Sequence, residues 1–141
     1  MAKGGPTMVK DIDSILVSIK KFVNIDPLDE AFDQDIIMLI NAEFMTLHQL
    51  GIGPDEGFAI TEPDTVWSEY VSDPLLLHSV RTYIGLKVRM IFDPPASSVV
   101  ADAINNRIAE LEFRLNHQAE YPQMEEEHAE NQNKETGGDE S

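Results

Sequence analysis

Apolar residues return at intervals of three and four in four separate stretches of this chain, and each stretch predicts an amphipathic helix. Ile12, Ile15, Leu16, Ile19 and Val23 place the first over 9–23, with Asp11 early and Lys20 and Lys21 late, signs that match a helix dipole. Ile36, Leu39, Ile40, Phe44 and Leu47 place the second over 33–50, and Gly51 supplies its stop. Between them NIDPLDEAFD, with Pro27 and four acids, predicts a loop that caps the second helix and turns Phe32 inward as a staple.

The third helix, 75–92, runs into Asp93-Pro94-Pro95. Pro94 and Pro95 lack backbone donors and push the residue before each out of the α conformation, so the helix ends near Asp93. Ser97 or Ser98 then caps a fourth helix over 98–118, where Val100, Ile104, Ile108, Leu111 and Leu115 form a narrow stripe and Asp102 sits near the positive end. Ahead of the third helix, GIGPDEGFAITEPD carries three glycines and two prolines and predicts a surface connection, extended at most over Phe58–Thr61. Its length suits partner contact, which makes Pro54, Asp55, Glu56 and Phe58 candidates. Thr65 to Tyr70 predicts a short helix with Trp67 in the core.

On a helical wheel Leu75, Leu76, Val80, Tyr83, Ile84, Leu86, Val88, Met90 and Ile91 spread over roughly 220°. His78, Arg81, Thr82, Gly85 and Arg89 fill the rest. An arc so wide belongs either to a central helix wrapped by its own chain or to one covered on a side by another subunit. Lys87 falls inside the arc, where an ammonium needs a carboxylate partner or must snorkel outward; snorkelling is the favoured expectation.

These elements predict an all-α fold, a small bundle of about four main helices over 9–118. A flexible leader precedes it over 1–8, with Met8 as an alternative start. An acidic tail over 119–141 follows, expected to be disordered alone: residues 120–141 hold eight acids and one lysine, a net of -7. One modest core fits the 141 residues. The absence of cysteine removes disulfides and thiolate metal sites and fits an intracellular or virion-internal setting. The N-terminus lacks the apolar run of a signal peptide, and no stretch approaches the roughly 18 apolar residues of a membrane span.

A net charge of -16 with only 10 Lys and Arg argues against general nucleic-acid binding. The acidity has three remaining uses: repelling DNA from a passage, imitating DNA in a basic cleft, or plain solubility. Catalytic constellations are missing. His48, His78, His117 and His128 lie in separate segments. Asp33 with Asp35 and Glu110 with Glu112 are two apart, which splits each pair across a helix surface. Asp26, Asp29 and Glu30 lack the glycine of a calcium loop, and Gly51-Ile52-Gly53 has neither strand nor basic helix for a phosphate turn. No catalytic residue, cofactor or metal is expected.

Taken in order, IDPLDEAFDQDIIMLINAEFMTLHQLGIGPDEGFAI, VWSEYVSD, YIGLKVRMIFDPPASS and the ELEFRLN ending resemble the head-tail connector, or head-completion, proteins of long-tailed double-stranded DNA phages. The likeness covers about residues 9–117 and is most specific around DPPASS. It implies a structural adaptor of the virion neck, assembled in the host cytoplasm, with no catalysis and no membrane. It further implies a ring of about twelve copies beneath the portal protein, receiving a stopper or tail-completion protein on its other side. DNA would pass through the channel without specific binding.

A ring contact joins two different faces of the same subunit. Leu75, Leu86 and Met90 form one flank of the third helix and, with Arg81 and Arg89, are the candidate subunit interface; the outer side of helix 98–118 is the alternative. Glu125, Glu126, Glu127 and Glu130 are candidates for portal binding or channel lining, or the tail only solubilises. The competing function is a small acidic inhibitor or DNA mimic.

Overall fold

A computed structural model of the chain describes residues 13–137, and their side chains as far as Ala119. It contains α1 (Ile15–Phe22), α2 (Asp33–Gln49), a 3-10 turn (Trp67–Glu69), α3 (Pro74–Phe92) and α4 (Ser98–Gly137). The only extended pairing among the described residues is an isolated bridge between Ser14 and Val66. The fold is the all-α bundle that the apolar periodicity predicts. No described helix is long and apolar enough to cross a membrane.

A tertiary contact sets the start of α1 at Ile15. Ser14 Oγ accepts from the Val17 N–H at 3.3 Å and donates to the Pro63 carbonyl at 2.6 Å, while the Ile15 N–H donates to the Thr65 carbonyl at 3.0 Å. Asp11 and Ile12 lie outside the described residues. Helix α2 stops at Gly51, whose φ of 86° is open to glycine at little cost. Asp73 caps α3 by accepting from the Leu75 N–H at 3.1 Å, with Pro74 in the first turn where its missing donor costs nothing. Ser97 accepts from the Val100 N–H at 3.4 Å and opens α4.

Helix α3 is the centre, with α1, α2 and α4 packed around it. Trp67, Phe44, Tyr83, Ile84 and Leu115 are fully buried at these contacts, each worth about 1.5–3 kcal/mol as apolar surface taken from water. Gly85 lets α1 in: a Cβ there would lie 2.6 Å from the Phe22 ring. Phe32 does not turn inward as expected. It stays exposed and meets Phe92 edge to face at 5.3 Å, because the end of α3 lies beside the start of α2.

The connection 51–66 is held at three points. Asn41 Oδ1 accepts from the Ile60 N–H at 2.8 Å and its Nδ2 donates to the Ile60 carbonyl at 2.9 Å, so one side chain does the work of a strand partner. Phe58 packs on Phe44 at 5.0 Å and Tyr70 at 5.1 Å. The Trp67 indole donates to Ser18 at 2.7 Å, pinning the 3-10 turn to α1. Tyr70 donates to the Ile52 carbonyl at 3.4 Å, and its burial raises the phenol's pKa.

Two buried charges join helices. Lys20 is 1% exposed; its ammonium lies 2.7 Å from Asp33 and donates to the Pro27 carbonyl at 3.0 Å, tying the end of α1 to the start of α2. Lys20 also sits in the last turn of α1, as the sequence suggests, where its charge suits the helix dipole. Lys87 takes the carboxylate rather than the snorkelling option, its ammonium 3.8 Å from buried Glu43 and 5.9 Å from the Tyr83 ring centre. Tyr83 donates to Glu112 at 2.9 Å, which brings α4 into the same cluster. Burial raises the Glu43 pKa; Lys87 opposes the rise and the Glu112 charge adds to it. Burial also raises Tyr83, helped by its bond to Glu112 and by the charges of Glu112 and Glu43.

Helix α4 is 40 residues long, about 60 Å, against 19 residues and about 28 Å for α3. It therefore overhangs the bundle. Among the described side chains Leu115 and Ala119 are its last contacts with the core. Beyond that the acidic stretch expected to be disordered alone continues the helix to Gly137, with Tyr121, Met124 and Ala129 as its few apolar residues besides Pro122. Pro122 also withdraws one backbone donor from the ladder. Such a segment has little beyond local propensity to keep it helical.

Asp33→Ala leaves the Lys20 charge buried with one carbonyl, so chemical denaturation is expected to show a loss of about 3 kcal/mol. Lys20→Met should lose less, since Asp33 keeps some solvent and the positive end of α2. Glu43 binds its proton more tightly folded than unfolded, so its contribution to stability is complete below the ordinary value of 4.5 and is lost as pH rises through the raised folded value. Glu43→Gln is expected to melt above the parent protein at pH 7, and that advantage to vanish in melts below about pH 4.5.

Candidate subunit interface

The wheel of α3 shows which sides its own chain covers. With Arg81 at zero and 100° per residue, Gly85 falls at about 40°, Tyr83 at about 200° and Lys87 at about 240°. These three meet Phe22 of α1, Glu112 of α4 and Glu43 of α2. Val80, Ile84 and Val88 lie beyond Lys87 at about 260–340° and are completely buried. Most of the apolar arc is thus sealed by the chain itself.

A gap remains between α1 and α4, from about 60° to 180°. It holds His78, Arg89, Thr82, Leu75, Leu86, Ser79 and Met90, none of them buried. Leu75 is 80% exposed, whereas Leu86 and Met90 are half-buried against the core. Four of the five interface residues read from the sequence therefore share one open strip, with Arg81 across its α1 edge. Arg81 lies over the Trp67 ring, 5.7 Å from its centre, and helps line a shallow groove of about 290 Å³ with Ser18, Ile19, Phe22, His78 and Thr82.

Charge sorts in the same way. Lys20 pairs with Asp33, Lys87 with Glu43, and Arg107 and Arg114 both with Glu110. Among the described residues Lys21, Arg81 and Arg89 have no carboxylate within 4.0 Å. Arg89 is half-buried, and its Nε is shut from water without a hydrogen-bond partner among the described residues. Of these cations, Arg89 lies within the strip and Arg81 across its α1 edge.

The candidate contact loop divides. Asp55 and Glu56 are exposed at a tight turn closed by the Gly57 N–H on the Pro54 carbonyl at 2.9 Å. Pro54 is half-buried, and Phe58 is an anchor seated on Phe44 and Tyr70, not a free contact. Glu125, Glu126, Glu127 and Glu130 fall in the overhang of α4, and their side chains lie outside those described.

Other exposed apolar positions escaped the sequence reading. Met38 and Met45 stand seven residues apart on the outer side of α2. Their spacing was visible, but two methionines outside the main stripe do not stand out from ordinary surface. Val99 and Phe113 lie on the outer side of α4, which the sequence did nominate; Phe113 is 74% exposed and stacks on His117.

The chemistry of these surfaces is that of contact. Among the described residues no three His, Asp or Glu are placed to hold a metal ion. The buried carboxylates serve lysines and a tyrosine rather than a cleft.

No curated protein and no solved structure matches the chain. A family model does: the one described as phage connector protein matches residues 15–122, from the first residue of α1 to just past the last core contact of α4. That span contains the whole bundle and the open strip of α3, and the chain belongs to the phage connector protein family.

Proposed function

We propose that this chain is one subunit of a closed ring, of about twelve copies, seated beneath the portal of a filled phage head. The ring extends the DNA channel and offers its far side to a stopper or tail-completion protein. The observation that carries this reading is the family match across the whole bundle, joined to an open strip of α3 that holds Leu75, Leu86, Met90 and Arg89, none of them buried. A neighbouring subunit on that strip completes the burial that α1, α2 and α4 begin.

The acidity fits a passage for DNA. Residues 120–141 add -7 per chain, and a ring multiplies that charge around its axis. Duplex sliding through such a field finds no phosphate grip. We assign Glu125, Glu126, Glu127 and Glu130 to the portal-facing or channel-lining part of the overhang, ordered by docking. An acidic DNA mimic would need its charge to copy a duplex, and no described feature favours that over the structural role of the family.

Mixing the purified protein with its portal and imaging the particles is expected to show a collar on the tail-side end of the portal; portals that stay bare sink the proposal. Leu75→Glu is expected to abolish the collar while leaving helicity and melting temperature near those of the parent, since Leu75 supports nothing in its own chain. Leu86→Glu and Met90→Glu should also lower the melting temperature, because both side chains touch the core.

A further inference from the structure

The open strip has a counterpart on the same chain. Residues 51–73 contain six acids, Asp55, Glu56, Glu62, Asp64, Glu69 and Asp73, and no lysine or arginine. All six are exposed. The first part of this segment packs on α2 through Phe58 on Phe44 and Ile60 on Asn41. Helix α2 meets α3 at about 240° on the wheel, about 120° round from a strip centred near 120°, whereas the later part of the segment lies against α1 through Trp67, beneath Arg81. The turn that carries Asp55 and Glu56, anchored on α2, is therefore held on a different side of α3 from the strip.

We propose that the strip between α1 and α4 seats the acidic turn of the next copy, with Arg81 and Arg89 facing its Asp55 and Glu56 and Leu75 closing the contact. This rests on the ring proposed above and names its two faces. A head-to-tail contact needs unlike faces, and each subunit presents each face once, so closure uses every one. Subunits of net charge -16 repel one another, and association requires places where the local sign is opposite. Among the described residues Lys21, Arg81 and Arg89 are the cations without a carboxylate of their own; Arg89 lies in this strip and Arg81 borders it beside His78 and Thr82. The loop arrives pre-organised, because Asn41, Phe44, Tyr70 and the Pro54–Gly57 turn hold it before any partner binds. A second copy's loop brings these carboxylates on a rigid frame, whereas the overhang of α4 lacks such support.

The test is a charge exchange in the full chain, read as collar formation on the portal. Arg81→Glu with Arg89→Glu, and separately Asp55→Arg with Glu56→Arg, are each expected to raise the concentration needed for a collar about tenfold or more. Each variant alone pairs like signs, whereas an equimolar mixture of the two should restore collars, because copies alternating around a ring of even number meet only opposite signs; the fourfold variant carrying all changes should restore them by itself. Because the chain has no cysteine, a disulfide provides a second readout that does not depend on the arginines folding differently. Thr82→Cys with Glu56→Cys in one chain should give ladders of covalently linked copies after oxidation of the collar, and no ladder in the free subunit. Normal collars from Asp55→Arg with Glu56→Arg would overturn the pairing while leaving the ring intact. So would rescue of the arginine variant by truncation after Ala119 but not by the loop reversal, which would make the overhang the occupant. A parent protein that never forms a collar would remove the ring itself.

Discussion

The constraint on which this structure depends is the apolar girth of α3. A helix with grease over roughly 220° of its surface is not satisfied by one neighbour, and a chain of this size has few elements to give it. Three helices are spent on it: α1 at Gly85, α2 at Lys87 and α4 at Tyr83. Once they are placed, the uncovered part of α3 is decided by subtraction. That strip is flanked by helices on both sides and carries the residues with the least to do inside the monomer.

Placing three helices around one axis forces polar groups indoors, and the protein answers each with a partner from another element. Lys20 of α1 reaches Asp33 of α2 and the Pro27 carbonyl between them. Glu43 of α2 stands beside Lys87 of α3, whose neighbour Tyr83 bonds Glu112 of α4. These contacts fix which helix lies beside which more than they add stability, since desolvation takes back much of what a buried ion pair supplies. They also consume cations. Among the described residues Lys21, Arg81 and Arg89 are the cations outside such pairs, and two of the three belong to α3.

A connector must be rigid enough to bear a load and specific enough to stack in one order. Rigidity here comes from the loop as much as from the helices. Segment 51–66 is strapped down by Asn41, by the Phe44–Phe58–Tyr70 cluster and by Ser14, so the acids it carries have fixed positions relative to α3. The overhang of α4 is the opposite case, a long charged extension with little apolar surface to anchor it.

The helices, their stops and the width of the α3 stripe were legible in the chain because each is a local property. Spacing of three and four, a proline pair, a serine cap and a glycine at positive φ act within a few residues of themselves. The family resemblance was legible for the same reason, since it lies in an ordered run of such signals. Distance along the chain is where the sequence fell silent. Nothing near Lys20 says that Asp33 will meet it indoors, nothing near Lys87 says that Glu43 stands 3.8 Å away in place of water, and nothing near Phe32 says that Phe92 will hold it at the surface. Whether the wide arc of α3 would be closed by its own chain or by another was likewise undecided by pattern. Only the packing of α1, α2 and α4 settled it, because the area left open on a helix depends on the directions from which its neighbours arrive, and those directions are a property of the whole fold.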